Sequence, residues 1–194
     1  MSYHEEEIIQ HFCPQEGDIV VDIGAAFGFY TILASKRVGL MGKVIAIEPQ
    51  KDAFEMLNRN VALNKLTNVT TLNRVIYSEE TKVKLYSNYT IIAERAGKYK
   101  QEFVETNAST LVSLLQQNGI RDVNWIKIDV DGAEVEILDG ARNTLSESKQ
   151  IALLIEVHDK AKYSQTMEFL HKYNFEVDFE RSYEWGGMHI IARK

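Results

Sequence analysis

The sequence predicts an α/β protein, doubly wound around a mostly parallel sheet. Three observations point to this class. Short apolar, β-branched runs recur at 19–23 (IVVDI), 44–47 (VIAI), 69–72, 125–130 (WIKIDV) and 151–157 (IALLIEV). These runs are apolar throughout instead of alternating, so both of their faces are covered. Segments with helical spacing lie between them, and alternating strands and helices give a parallel sheet with helices on each side.

Taken in order, residues 4–12 place Ile8, Ile9 and Phe12 among charges, a short amphipathic helix that Cys13-Pro14 and Gly17 end. Strand 19–23 leads into the small-residue turn Gly24 to Gly28 and a helix over 29–36. Strand 44–47 closes at Glu48-Pro49. The helix 51–64 has Phe54, Leu57 and Val61 spaced for one face, and 69–72 is the third short strand. Two more strands are expected at 82–86 and 102–106, around a polar stretch over 87–101 that holds Tyr89, Arg95, Lys98 and Tyr99. Loops this long in compact domains tend to be lids or binding loops, so a substrate cover is expected there. A helix over 109–118 meets Gly119, where a left-handed residue caps it. Strand 125–130, a helix over about 133–145, strand 151–157 and a helix over 161–173 follow. The tail reads as a β-hairpin, 175–181 and 188–192 around Trp185-Gly186-Gly187, which puts an antiparallel strand at or near an edge.

The 194 residues suit one domain of ordinary size, taken as 17–194 behind a helical extension at 1–16. Apolar residues at 45% and charged residues at 26% are the balance of a globular chain. A net charge of −6 argues against a protein that grips nucleic-acid phosphates. Cys13 is the only cysteine, which excludes an intramolecular disulfide, a CxxC redox pair and a Cys-rich zinc site. The first residues are acidic with no apolar h-region, and no run approaches the length of a membrane span. The expectation is therefore no membrane insertion and a cytoplasmic location.

In wound sheets, ligands bind beyond the carboxyl ends of the strands, where the strand order reverses. After the first strand, Asp22 and Gly24-Ala25-Ala26-Phe27-Gly28 form a turn that lets a ligand approach main-chain N–H groups. It is not GxGxxG. Glu48 lies 20 residues beyond Gly28, where a carboxylate can accept hydrogen bonds from a ribose diol. Both features suit an adenosine-containing ligand, either NAD or S-adenosylmethionine. Ala25 and Ala26 stand where a pyrophosphate needs glycine, and a carboxylate such as Asp22 favours a cationic sulfonium over a phosphate. That tips the reading toward S-adenosylmethionine. Asp131 and Glu134 have the spacing of a capping box. Asp129 lies at the mouth of a central strand, and Glu156 and His158 end the next.

The stretches VVDIGAAFGFYTILASK, GKVIAIEP, NRNVALNKLTNVTTLNRVIYS, WIKIDVDGAEVEILDGA and LLIEVH together resemble the FkbM-type methyltransferases, over roughly residues 17–180. The block KIDVDGAEVEILDGA is the most specific part. The family's usual loop has Asn where this chain has Ala26 and Ile where it has Phe27. The resemblance implies a Rossmann-like methyltransferase fold of seven strands, the last antiparallel, and S-adenosylmethionine as cofactor. It implies that Asp22, Gly24 and Ala25 hold the methionine end, with Phe29 and Thr31 nearby. Glu48 then binds the ribose, Pro49 flanks the adenine, and Asn73, Arg74 and Val75 line its pocket. Asp129 would lie near the transferring methyl.

Methyl transfer to a hydroxyl needs alignment and removal of a proton. Asp129, Glu156 and His158 are the candidates. A divalent cation on the same residues is a second route that the spacing permits without demanding, and a homo-oligomer is likewise permitted. No Pro-Pro-aromatic stretch follows residue 130, and Cys13 precedes its proline, so duplex DNA is not the expected acceptor. The favoured function is O-methylation of a small molecule, sugar or lipid-like acceptor. A NAD-binding oxidoreductase and a non-catalytic cofactor-binding module are the alternatives.

Overall fold

Val20 and Val21 are both fully buried, yet they belong to different apolar clusters. Successive side chains on a strand point to opposite faces, so a run with no polar partner face must be covered twice. The computed structural model describes residues 3–87, 90–92, 96–97, 102–148, 150–184 and 186–194. In chain order its elements are α1 (Tyr3–His11), β1 (Ile19–Ile23), α2 (Phe29–Val38), β2 (Lys43–Ile47), α3 (Lys51–Leu63) and β3 (Val69–Leu72). Then come β4 (Val75–Ile76), β5 (Thr81–Tyr86), β6 (Phe103–Ser109), α4 (Leu111–Gln117), β7 (Trp125–Asp129) and α5 (Glu134–Gly140). The chain ends with α6 (Arg142–Glu147), β8 (Ala152–Val157), α7 (Lys160–Lys172), β9 (Glu176–Ser182) and β10 (Met188–Arg193).

Seven strands form the main sheet in the order β3-β2-β1-β7-β8-β10-β9. The first five pair in parallel, and β10 runs antiparallel to both β8 and β9. The terminal hairpin thus inserts its second strand, leaving β9 at the edge. The order runs outward from β1 to β3 on one side and from β7 onward on the other. The switch point therefore lies between β1 and β7. One cluster, with Val21, Ile126, Ile128, Leu138 and Ile155, covers the face of α4 to α7. The other covers the opposite face, where Ile8 and Phe12 from the α1 region join Val20, Val38 and Leu154. Phe12 meets the Trp125 ring edge-on at 5.0 Å.

Three local expectations are revised. The strands expected at 82–86 and 102–106 are present as β5 and β6, but with β4 they form a separate three-stranded sheet. The single helix expected over 133–145 is two, α5 and α6, divided at Ala141. At Gly140, beside that break, a Cβ would lie 2.3 Å from the carbonyl oxygen of Tyr77, so the segment after β4 comes too close for a side chain. The helix expected from 109 begins at Leu111, because β6 continues to Ser109 and Thr110 is the cap: its Oγ1 accepts from Ser113 N at 3.1 Å. Gly119 is left-handed, at φ +69°, as its position after α4 requires. Among the described residues no helix is long and apolar enough to cross a membrane.

Candidate active site

The carboxyl ends of β1, β2, β7 and β8 meet around the switch point, and each brings an acidic residue. The tight turn after β1 follows from how near β7 lies. A Cβ on Gly24, at φ +76°, would stand 1.8 Å from the Asp129 carbonyl oxygen, so only glycine is accommodated. The amides of Gly24 and Ala25 both donate to Ile47 O at 3.0 Å, which fastens the turn to β2. Ala26 sits in the left-handed region at φ 47°. Asparagine tolerates that region better than alanine does.

Asp22 is 1% exposed. Thr31, also buried, donates its Oγ1 to Asp22 Oδ2 at 2.6 Å. The cation that answers Asp22 is Lys127, whose Nζ is 3.3 Å from Oδ1. The charge of Asp22 is thus met inside the protein. Lys127 Nζ also donates to Gly24 O at 2.9 Å and lies 3.1 Å from Asp129 Oδ2. Burial pulls its pKa down, but the charges of Asp129 and Asp22 outweigh that and hold it above the ordinary lysine value. Asp129 responds in the opposite sense: burial raises its pKa, and Lys127 more than offsets this, so it stays below the ordinary carboxylate range.

At the end of β2, Glu48 is 5% exposed, and its oxygens accept from Ala26 N at 2.9 Å and Gln50 N at 2.8 Å. Burial raises its pKa, and the two amides and Lys127 oppose that only in part. A carboxylate offers about four acceptor directions, so two amides leave room for ribose hydroxyls. The Asn73 side-chain amide donates to the carbonyls of Glu48 and Pro49 at 2.8 and 2.9 Å, so it holds this turn in place. A small, mostly apolar pocket opens beside it, lined by Ile47, Pro49, Val75 and Ile76 and, from the segment beyond β7, by Val130 and Ala133. An apolar slot next to a ribose-reading carboxylate suits an adenosine. Phe29 lies at the start of α2, 44% exposed. Buried Thr90 donates Oγ1 to the Asp131 carbonyl at 2.7 Å, tying this part of the 87–101 stretch to the segment after β7. Tyr89, Arg95, Lys98 and Tyr99, from which a substrate cover was expected, lie outside the described residues.

On the other side of the switch point, register aligns Asp129 on β7, Glu156 on β8 and His189 on β10 in one row. Asp129, Glu156 and His158 each present one donor atom within 4.8 Å of the other two. His189 Nε2 is 3.1 Å from Glu156 Oε2, and His158 Nε2 is 4.0 Å from Glu156 Oε1. The spacing would let a divalent ion bridge these atoms. It does not require one, because Lys127 Nζ lies 3.1 Å from Asp129 and His189 Nε2 lies 3.1 Å from Glu156. His158 Nδ1 lies 2.6 Å from Glu134 Oε1. That contact corrects the capping-box reading of Glu134. The residue begins α5 instead of occupying its third position, its weaker bond is with Gly132 N at 3.2 Å, and its main partner is His158. Burial lowers the His158 pKa, but the bond and charge of Glu134 and the charges of Glu156 and Asp129 prevail and raise it.

Sequence reasoning missed Lys127, Glu134 as a partner of His158, and His189. A lysine inside the apolar run WIKIDV was itself a signal, since a strand covered on both faces cannot bury an ammonium without carboxylates beside it. Nothing local marks His189, because the antiparallel pairing of β10 with β8, two strands distant in sequence, brings it to Glu156.

Comparison with known proteins shows the family and the fold. The profile of the Methyltransferase FkbM domain matches residues 22–177, and the chain belongs to that family. Among curated relatives, methyltransferase sdnD of Sordaria araneosa is 27% identical over 154 residues, 62% of this chain and 59% of that protein. Hexuronic acid methyltransferase AglP of Haloferax volcanii is 26% identical over 145 residues, 74% of this chain and 57% of that one. This chain thus spans under two thirds of the length of either relative. A crystal structure of methyltransferase FkbM from Methylobacillus flagellatus KT superposes with a TM-score of 0.67 at 16% identity, covering 93% of this chain and 45% of that one. A SAM-dependent O-methyltransferase from Thermotoga maritima gives a TM-score of 0.61 at 17% identity, covering 100% and 66%. At such identities the structures show the fold alone, a Rossmann-like methyltransferase fold.

Proposed function

We propose that this chain is an S-adenosylmethionine-dependent O-methyltransferase acting on a hydroxyl of a small molecule or sugar. One observation carries the reading: the apolar pocket beside Pro49, lined from both sides of the switch point, and the cluster of Asp129, Glu156 and His158 occupy the same sheet edge. The residues present suit the cofactor. Pro49 and Val75 of the apolar pocket would hold the adenine, Glu48 would accept from the ribose, and the turn Gly24-Ala25, with Phe29 at the start of α2, would hold the methionine end. Asp22 and Thr31 act from beneath that turn, because both are buried in it. S-adenosylmethionine supplies an electrophilic methyl on a sulfonium that leaves as a neutral thioether.

The protein aligns the acceptor oxygen with that methyl, and such orientation can supply much of the rate. Asp129, Glu156 and His158 orient the hydroxyl, and one of them takes its proton, a step typically worth about 10²–10⁴-fold. Asp129, held ionised by Lys127, is a poor base and a good hydrogen-bond acceptor for the hydroxyl. His158 is the more basic group. A sugar acceptor is consistent with the relative that is a hexuronic acid methyltransferase.

Calorimetry with S-adenosylhomocysteine and with NAD tests the cofactor, and tight binding of NAD alone would reverse the assignment. An acceptor panel that includes hexuronic acids and simple glycosides, read by S-adenosylhomocysteine release with and without EDTA, tests the reaction. Cofactor binding with no turnover across the panel favours the binding-module reading, and loss of turnover in EDTA favours the cation route.

A further inference from the structure

Glu134 is the most deeply buried carboxylate of the site, with none of its surface exposed. A carboxylate in that position is costly unless a hydrogen-bonded cation meets it. Among the described residues its only ion-pair partner is His158, with Oε1 2.6 Å from Nδ1. The two come from separate elements, the first residue of α5 and the residue just past β8, so the contact is tertiary. A carboxylate on Nδ1 places the imidazole proton there and makes Nε2 the basic atom, fixing tautomer and ring orientation together. Here Nε2 is turned toward Glu156, 4.0 Å from its Oε1, on the side where Asp129 also lies.

We propose that Glu134 is a positioning residue for methyl transfer, holding His158 with Nδ1 protonated and Nε2 presented to the acceptor as the proton-accepting atom. The inference rests on the methyltransferase reading above. In the step, the acceptor O–H proton passes to His158 Nε2 as the oxygen forms its bond to the methyl carbon. The carbon–sulfur bond breaks with its electron pair going to sulfur. The products are a methyl ether, a neutral thioether and imidazolium, whose proton then returns to solvent. Glu134, hydrogen-bonded to Nδ1, stabilises the imidazolium, as a buried carboxylate does behind a catalytic histidine. Among the described residues, the charged and titratable groups facing His158 include Glu134 from α5, Glu156 from β8 and Asp129 from β7, with His189 of β10 next to Glu156.

The test is a long-range ¹H–¹⁵N NMR titration of the histidine rings in the full chain with S-adenosylhomocysteine added, with His158→Gln used for assignment. The wild-type spectrum alone decides the tautomer. Neutral His158 should carry its proton on Nδ1 and titrate above the ordinary histidine value. Glu134→Gln, similar in size, should lower that pKa by about one unit and leave S-adenosylhomocysteine affinity within about twofold. Glu134→Asp keeps the charge and should retain most of the shift. Turnover on the best acceptor of the panel should fall about tenfold or more in Glu134→Gln. An Nε2-protonated neutral ring, an unshifted pKa in Glu134→Gln, or unchanged turnover would each overturn the assignment of Glu134. Failure of the wild-type protein to bind S-adenosylhomocysteine would instead overturn the methyltransferase reading on which the role depends.

Discussion

The two halves of the sheet edge hold the same kind of residue in opposite states. At the ends of β1 and β2, Asp22 and Glu48 are sealed, with Thr31, Lys127 and two main-chain amides as fixed partners. At the ends of β7 and β8, the side chains of Asp129, Glu156 and His158 retain 34%, 19% and 17% of their exposure. The sealed half has its charges answered before any ligand arrives, which suits a part that must present one rigid shape to one constant ligand. The open half keeps polar atoms within reach of solvent, which suits a part that exchanges a proton. Lys127 joins the two, because it pairs with an acid on either side.

The most severe way to break this comparison is to remove that link. Lys127→Met would leave Asp22 buried and unanswered, and should cost about 3–5 kcal/mol of stability in urea unfolding. A loss below about 1 kcal/mol would mean that the halves are not locked together by this residue. Next in size, His158→Gln should reduce turnover about 10²–10⁴-fold while leaving S-adenosylhomocysteine affinity within about twofold, because the change falls only in the open half. An equal loss of affinity, measured by calorimetry, would show that the division is false.

Glu48→Gln should weaken S-adenosylhomocysteine binding by about tenfold, in keeping with hydrogen bonds to a charged acceptor. The pH dependence follows from the upward shift of Glu48. On the proposed reading, in which ribose hydroxyls donate to its ionised form, affinity should be full above the raised pKa and should fall as pH drops through it. That loss should begin at a higher pH than an ordinary glutamate would give, and it should vanish in Glu48→Gln. The sign for stability is the reverse. The folded state holds this proton more tightly than the unfolded chain, so the Glu48 contribution weakens as pH rises from the ordinary to the raised value. The smallest effect is expected at the turn. Ala26→Gly relieves a left-handed alanine and should raise stability by up to about 1 kcal/mol, after the added entropy of glycine is subtracted. A lower melting temperature would show that the alanine side chain contributes packing that outweighs its backbone strain.

Much of the edge was legible in advance because its residues follow their strands directly. Asp22, Glu48, Asp129, Glu156 and His158 each stand at or just past the end of an apolar run, and a wound sheet gathers such ends on one side. Partnership was less legible. Glu134 had the spacing of a local cap, and its real partner lies 24 residues away on another element. The close approach at Gly140 was also hidden, since the backbone it meets, at Tyr77, is far off in sequence.

By itself, the amino-acid order determined the class of fold, the alternation of its elements and the set of polar groups brought to one edge. These depend on period and on apolar content, which each segment carries alone. Only the tertiary structure decided which acids are sealed and which stay open, where the β5–β6 pair sits, and that His189 stands beside Glu156. Each of those outcomes depends on strand register and on the close approach of distant backbones, quantities that no single segment contains.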